Sequence, residues 1–516
     1  MKNTIRQNFI KDALVLSVVN IIIRGISVSF NAFVNNKIGA ESMGLLTLVM
    51  SVYGFAVTVA LSCVNLAAVK LTSERCAVLH GSDSVSWKNT MRSVIVSVVK
   101  YSLLFGLSSG AVLYFSSGFI SNKLLNDHRT LLSLKVLALS LPAISLSSAF
   151  SGFFTGLRKV RKNAIVVISE QFIKIIITST ALVMIMPGSI EKSCLAVVGG
   201  SAVAEAASLV TNIIMYITDT KRPDKEITGK NRQVYKTQLH DVSRISLPSA
   251  VGTYARQGLT TLEHIAIPKG IVKSGLSNEV ALASYGRLQG ISFPLVMFPY
   301  AIIGSFTSLL VPEVAELNEI KNKSEIRRIK NDVYRYCAMF SFLACGIFTN
   351  FSKELGIMIY SSSEAAEYTL ILGLLVPFMY LDTTVDSILK GLGEQVYIMG
   401  VNIADAAAGL LLVLILTPLM AIKGYILTMW ICEIGNLAAS LWRLETITGD
   451  GVLNVLKIYI KPAVSFLIMT LFNNIFCKMI NPVISICIFT IGYIVILYCF
   501  NCFGNKKMKK VLTGEK

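Results

Sequence analysis

The chain has only four histidines, His80, His128, His240 and His264, and no two stand at the spacing of metal ligands. No glycine-rich loop runs into Lys-Ser or Lys-Thr, which excludes a nucleotide-driven pump of that kind within this chain. No nucleophile and base fall into a catalytic arrangement, so no enzyme is expected, and no catalytic residue, metal or cofactor is assigned. The ten cysteines are scattered, mostly in apolar runs. One close pair, Cys499 and Cys502, reads either as a redox or metal pair or as small apolar filler. Charge is also scarce, at 15% of residues, which is too little for a chain of several soluble domains.

In place of charge there are apolar runs. Hydrophobic residues make up 53% of the chain and the mean hydropathy is +0.64. Runs of about twenty residues, enough to cross roughly 30 Å of hydrocarbon, recur fourteen times in the sequence. They centre near Ile22, Val57, Gly106, Ile144, Ile175, Val203, Leu259, Val296, Leu343, Pro377, Leu410, Thr428, Phe466 and Thr490. The fold class expected is an all-α polytopic membrane protein with about 14 transmembrane helices.

A net charge of +18 suggests nucleic acid until its distribution is read. With the amino terminus in the cytoplasm, the even-numbered loops and both tails hold 33 of the lysines and arginines, the odd-numbered loops hold 9, and six lie inside spans. That asymmetry is the positive-inside rule. It predicts a multi-pass plasma-membrane protein with both termini cytoplasmic and no nucleic-acid partner. The tail "NKKMKK" is expected against anionic lipid. The start "MKNTIRQNFIKDALVLS" runs into a full-length span and shows no cleavable signal.

The longest polar stretch, Asp219 to Asp241, falls between spans six and seven and reads as a linker. The parts on either side match weakly. Gly156 and Leu157 match Gly391 and Leu392 at an offset of 235 residues, as do Glu170 and Asp405. Around span two the offset is 242, pairing Gly44 with Gly286, Leu46 with Leu288, Val69 with Val311 and Glu74 with Glu316. Both offsets pair span n with span n+6. Six is even, so the copies enter from the same side, as parallel repeats around a central cavity. The expected layout is a six-helix lobe over 1–218, a cytoplasmic linker over 219–242, a second six-helix lobe over 243–447, and two extra helices with a basic tail over 448–516.

Span one carries Ser17, Asn20, Arg24, Ser27, Asn31 and Asn35, and span seven carries Ser249, Thr253, Arg256, Thr260 and Glu263. Steps of three and four put each set on one helical face. Lipid cannot satisfy such a stripe, so it faces protein or water. For the small residues, interhelical hydrogen bonding suffices. Arg24, Arg256 and Arg287 need more, because an intramembrane cation is expensive and Glu263 is the one obvious local partner. An anionic ligand would supply the missing charge, and a guanidinium fork suits phosphate. Glu170 and Lys174, four apart on span five, read as a pair, while Lys100 and Lys135 read as snorkelling. Asp382 and Asp386 read either as a pair near a helix end or as a monovalent-cation or proton site that couples transport. Pro294 and Pro299 each free a carbonyl inside span eight, as a static kink or as a hinge.

The stretches "IGAESMGLLTLVMSVYGF", "GLRKVRKNAIVVISEQFIKI", "YGRLQGISFPLVMFP", "LLVPEVAE" and "LKGLGEQVYIMGVNIA" resemble the polysaccharide-biosynthesis exporters, and most closely the stage V sporulation protein B group. That group shares a superfamily with the lipid II flippases and the MATE drug exporters. The resemblance implies a MATE-like fold of two six-helix lobes, alternating access, and a lipid-linked glycan as cargo. It also implies that Arg24, fifteen residues before Gly39-Ala40, and Arg287, after Tyr285-Gly286, bind a lipid pyrophosphate. Phe30 stands where the flippases have a second first-helix arginine. The last two spans resemble the flippases' extra pair, which forms a groove for the lipid tail. The candidate substrate-binding set is Arg24, Asn31, Arg256, Glu263 and Arg287, with Asp382 and Asp386 as coupling-ion candidates. Two other functions compete with a flippase: a MATE-like exporter of organic cations, which calls for acids in its cavity, and a non-transporting scaffold in cell-wall assembly, which leaves the two polar stripes unexplained.

Overall fold

A computed structural model of the chain describes residues 2–78, 84–185, 188–220, 236–360, 365–476 and 481–502. Residues 221–235 of the expected linker, and the basic tail at 505–510, lie outside them. No strand occurs among the described residues. A helix satisfies its backbone groups within its own segment, which is what hydrocarbon demands.

The chain forms two compact units. The first comprises residues 1–30, 37–286 and 410–422. It opens with α1 (Lys2–Leu61), which runs as two helices joined at Gly39, where φ is +80° and ψ 169°. Only glycine adopts that conformation cheaply. Then follow α2 (Val64–Val78), α3 (Ser84–Phe119), α4 (Leu131–Gly156), α5 (Val160–Ile185), α6 (Ile190–Thr220), α7 (Leu239–Lys273) and α8 (Asn278–Tyr285). The second unit comprises 31–36, 287–409 and 423–516. It holds α9 (Phe293–Met297), α10 (Tyr300–Glu319), α11 (Lys323–Asn350), α12 (Ser352–Tyr360), α13 (Ala365–Gly391), the first part of α14 (Gln395–Met420), nearly all of α15 (Ile422–Thr448), α16 (Val452–Phe476) and α17 (Pro482–Cys499).

Among the described residues, ten helical stretches are long and apolar enough to cross a membrane, or up to eleven when α11 and α12, bent by 78°, count as one span. All fourteen predicted centres fall inside helices. The smaller figure has a physical reason. Spans one and two join into one stretch, Ile21–Val78, and α7 and α15 are more polar than the ten stretches counted. The outer faces suit lipid: Phe115 is 84% exposed and Met184 80%.

The sequence offsets reappear as packing. A Cβ on Gly156 of α4 would lie 3.0 Å from the Val69 carbonyl oxygen of α2, and one on Gly391 of α13 would lie 2.9 Å from the Val311 carbonyl oxygen of α10. Gly156 matches Gly391, and Val69 matches Val311. The same close helix crossing therefore occurs once in each unit, and in both places the missing side chain is what lets the backbones approach.

Candidate functional site

Arg24, Arg256 and Glu263 belong to the first unit; Asn31, Arg287, Asp382 and Asp386 belong to the second. Arg24 lies on α1 within the Ile21–Val78 apolar stretch, and its side chain is exposed. Arg256 is exposed at the middle of α7, with Glu263 half-buried two turns on. Among the described residues, neither Arg24 nor Arg256 forms an ion pair.

Three small polar residues of the stripes bond to their own helices, and one of them, Thr253, also lies 3.9 Å from Cys63 Sγ. Thr253 Oγ1 donates to the Ser249 carbonyl (2.9 Å), Thr260 Oγ1 to the Arg256 carbonyl (3.1 Å) and Ser27 Oγ to the Ile23 carbonyl (2.8 Å). Bonds of this i to i−4 kind do not tie helices together. Beside the α7 stripe, the Tyr285 hydroxyl and His264 Nδ1 form a hydrogen bond of 2.9 Å.

Arg287 stands in a π-helical turn, Gly286–Ser292, ahead of α9. Such widened turns concentrate at functional sites. Pro294 has no N–H to give the carbonyl four residues back, at Gly290. Asn31 supplies one instead: its Nδ2 donates to the Gly290 oxygen at 2.8 Å. Asn31 is thereby engaged with the segment that carries Arg287. A few residues on, the helix breaks at Phe298 and Pro299, between α9 and α10, and the Val296 carbonyl accepts from the buried Tyr380 hydroxyl at 2.8 Å.

Asp382 is buried on α13 and accepts from Asn436 Nδ2 at 3.2 Å. Asp386, one turn on, accepts from Ser440 Oγ at 3.1 Å. Both donors are on α15. Glu433, on the same helix, sits within reach of the charges of Asp405 and Asp386. The pair noticed in the sequence thus belongs to a larger group of carboxylates carried by α13, α14 and α15. No group of three or more metal-ligand side chains able to hold a metal ion occurs among the described residues.

The first unit has a second carboxylate centre that sequence reasoning passed over. Glu205 on α6 accepts from the Tyr53 hydroxyl at 2.9 and 2.7 Å, and Ser140 Oγ of α4 lies 2.7 Å from that hydroxyl. Lys174 lies within reach of the charges of both Glu205 and Glu170. The expected Glu170–Lys174 pair is therefore part of a triad of charges rather than a closed couple. One signal was available: a lone acid inside an apolar run, as in "SAVAEAASLV" for Glu205 and "TMWICEIGNL" for Glu433, is itself a candidate site.

Comparison with known proteins follows this geometry. The family described as "Polysaccharide biosynthesis protein" matches residues 9–318. The chain is 24% identical over 424 residues to stage V sporulation protein B of Bacillus subtilis (strain 168), covering 81% of this chain and 80% of that one. A structure of the lipid II flippase MurJ in an inward closed conformation superposes with a TM-score of 0.68 at 14% identity, covering 94% of this chain and 98% of that one. An inward-facing multidrug resistance MATE family transporter of the MOP superfamily gives 0.60 at 12% identity, covering 87% and 98%. The fold is therefore the all-helical fold shared by these membrane transporters.

Proposed function

Because the chain belongs to the polysaccharide biosynthesis protein family, we propose that it is a flippase. Its cargo in this reading is a lipid-linked oligosaccharide or peptidoglycan precursor, an undecaprenyl-pyrophosphate sugar, moved across the plasma membrane by alternating access. The relationship to a sporulation protein supports a role in building the spore envelope. Both termini are cytoplasmic in this reading, and the protein moves its substrate without chemical change. The lobes run over 1–218 and 243–447, joined by the 219–242 linker, with 448–516 as an appended hairpin and tail.

The observation that carries the proposal is the exposure of Arg24 in the Ile21–Val78 apolar stretch and of Arg256 at the middle of α7, with no ion pair to either among the described residues. Water or an anion must meet such groups. We assign Arg24, Arg256 and Arg287 to the cargo's pyrophosphate, with Glu263 setting the orientation of nearby cations and Asn31 supporting the Arg287 turn. The test is complementation or flipping by an Arg24→Ala, Arg287→Ala variant, normalised to protein in the membrane. Loss of activity at normal abundance is expected. Full activity would sink the assignment.

The carboxylates support a second role within the same reading. Asp382 and Asp386, with Glu433 near them, are candidates for a proton or monovalent-cation site that drives the cycle. They are also the observation that favours the competing reading, a MATE-like cation exporter. Active efflux of organic cations by a variant lacking Arg24 and Arg287 would establish that alternative.

A further inference from the structure

Where α16 and α17 meet α11, the second unit contains an open cavity of about 510 Å³ lined by Arg335, Lys457, Ile458, Lys461, Pro462, Asn501 and Cys502. Three of the seven are cations, from two helices. Lys457 and Lys461 stand one turn apart on α16, so their like charges repel and weaken the helix unless a counter-ion meets both. Arg335 reaches the cavity from α11. Among the described residues little acid is on hand. Asp332 Oδ1 lies 3.6 Å from Arg335 Nη1, one turn back on the same helix and half exposed. Lys461 Nζ gives one hydrogen bond to the Phe500 carbonyl (3.1 Å), which pins it at the cavity and leaves further N–H donors. The Cys502 thiol registers the arrangement: burial raises its pKa against the pull of Lys461 and Arg335.

The location selects the ligand. Lys457 and Lys461 lie in the first turns of the Leu453–Ile475 apolar stretch, and Asn501 and Cys502 lie just past the end of α17. Lys457, Asn501 and Cys502 thus lie near the ends of α16 and α17, where lipid headgroups are expected, with Lys461 one turn deeper. Ile458 and Pro462 give the cavity an apolar wall beside its cations. A soluble anion uses only the charge; a phospholipid uses both surfaces. We propose that Arg335, Lys457 and Lys461 form a binding site for the phosphate of an anionic membrane lipid, distinct from the arginines assigned to cargo. The lipid's single phosphate charge would offset part of the repulsion among the three cations and join α11 to the α16–α17 hairpin.

The test uses the full chain in detergent, with native mass spectrometry during titration by phosphatidylglycerol and, separately, phosphatidylcholine. Phosphatidylglycerol should bind at least about five-fold more tightly. Each removed cation should weaken it by about five-fold, the scale for one basic residue near an anionic surface. Lys457→Gln with Lys461→Gln should thus lose about 25-fold, and Arg335→Gln, on the other helix, about five-fold. Lys461→Arg should retain binding, which separates lost charge from lost folding. Two further arms identify the source of the phosphate. Inorganic phosphate at equal concentration should not displace the lipid, and undecaprenyl pyrophosphate binding should be unchanged in the lysine double variant. Equal binding of the two phospholipids, phosphatidylglycerol affinity within about two-fold of native in that variant, displacement by inorganic phosphate, or selective loss of undecaprenyl pyrophosphate would each overturn the proposal. None of these readouts depends on transport, so they stand or fall apart from the flippase reading.

Discussion

A Cβ built on Gly286 would lie 2.5 Å from the backbone nitrogen of Gly44, and one built on Gly44 would lie 2.0 Å from the Leu282 carbonyl oxygen. These are the two glycines that the 242-residue offset places in register, and here they pack backbone to backbone. Neither site can accept a methyl group unless backbone moves. Gly44→Ala and Gly286→Ala should each cost about 1–3 kcal/mol, the usual penalty of overpacking. Gly400, on α14, has nothing within 4 Å of its would-be Cβ. Gly400→Ala should be neutral or stabilise by about 0.5–1 kcal/mol through helix propensity. Thermal unfolding of the three purified variants checks this. Equal melting temperatures would show that the contact does not constrain the fold.

Lys330 has no solvent exposure, and its partners are acids and a hydroxyl. Its Nζ donates to Glu445 Oε2 at 2.7 Å and to Thr448 Oγ1 at 2.9 Å, and pairs with Asp450 Oδ2 at 2.9 Å. Tyr334 donates to the other Glu445 oxygen at 3.2 Å. Breaking a buried pair strands the remaining charge and costs about 3–5 kcal/mol. Lys330→Met alone should therefore destabilise strongly. Adding Glu445→Gln should recover part of the loss, since no unpaired carboxylate then remains at that position. A double-mutant cycle on stability measures the coupling; simple additivity would mean the network is not energetically linked.

Asn31 and Pro294 make a compensating pair. Removing the Asn31 amide leaves the Gly290 carbonyl without that donor, at a cost of about 1–3 kcal/mol. Pro294→Ala restores a backbone N–H to the same helix. Asn31→Ala should thus hurt stability more in the native background than in the Pro294→Ala background. Identical losses in both would remove the explanation given for the Asn31 contact.

For Arg287, the chemistry of the fork separates two roles. Arg287→Lys keeps a positive charge and loses the bidentate geometry. If the residue binds pyrophosphate, flipping should fall several-fold at unchanged abundance, and Arg287→Ala should fall further. A purely structural arginine predicts instead that both changes lower the amount of folded protein. Membrane immunoblots beside the activity assay decide between them.

Orientation is tested from two loops. Thr228→Cys in the linker should react with an impermeant thiol reagent only from the cytoplasm. Ser274→Cys, just past the end of α7, should react only from outside. Both are read in a background whose native cysteines are replaced. The reverse pattern would overturn the inference from the charge distribution.

Apolar run length determined much of this protein by sequence alone. Hydrocarbon thickness sets a minimum, and runs of that length had to be helices. The matched offsets also mark glycines, Gly156 and Gly391, that sit at equivalent helix crossings, because a close crossing admits only a small residue. Periodicity placed Arg24, Arg256 and the hydroxyls on helix faces. It could not say what each face meets. Ser27, Thr253 and Thr260 bond to their own helices, while Asn31 crosses to Gly290, 259 residues away. Lys330 counted in the sequence as one more loop cation, and Glu205 drew no notice. Their burial and partners come from α15 for Lys330 and from α1 and α4 for Glu205, brought up by packing rather than by neighbouring sequence. A charge inside a membrane protein is tolerable or ruinous according to the groups within a few ångströms of it, and only tertiary structure decides which groups those are.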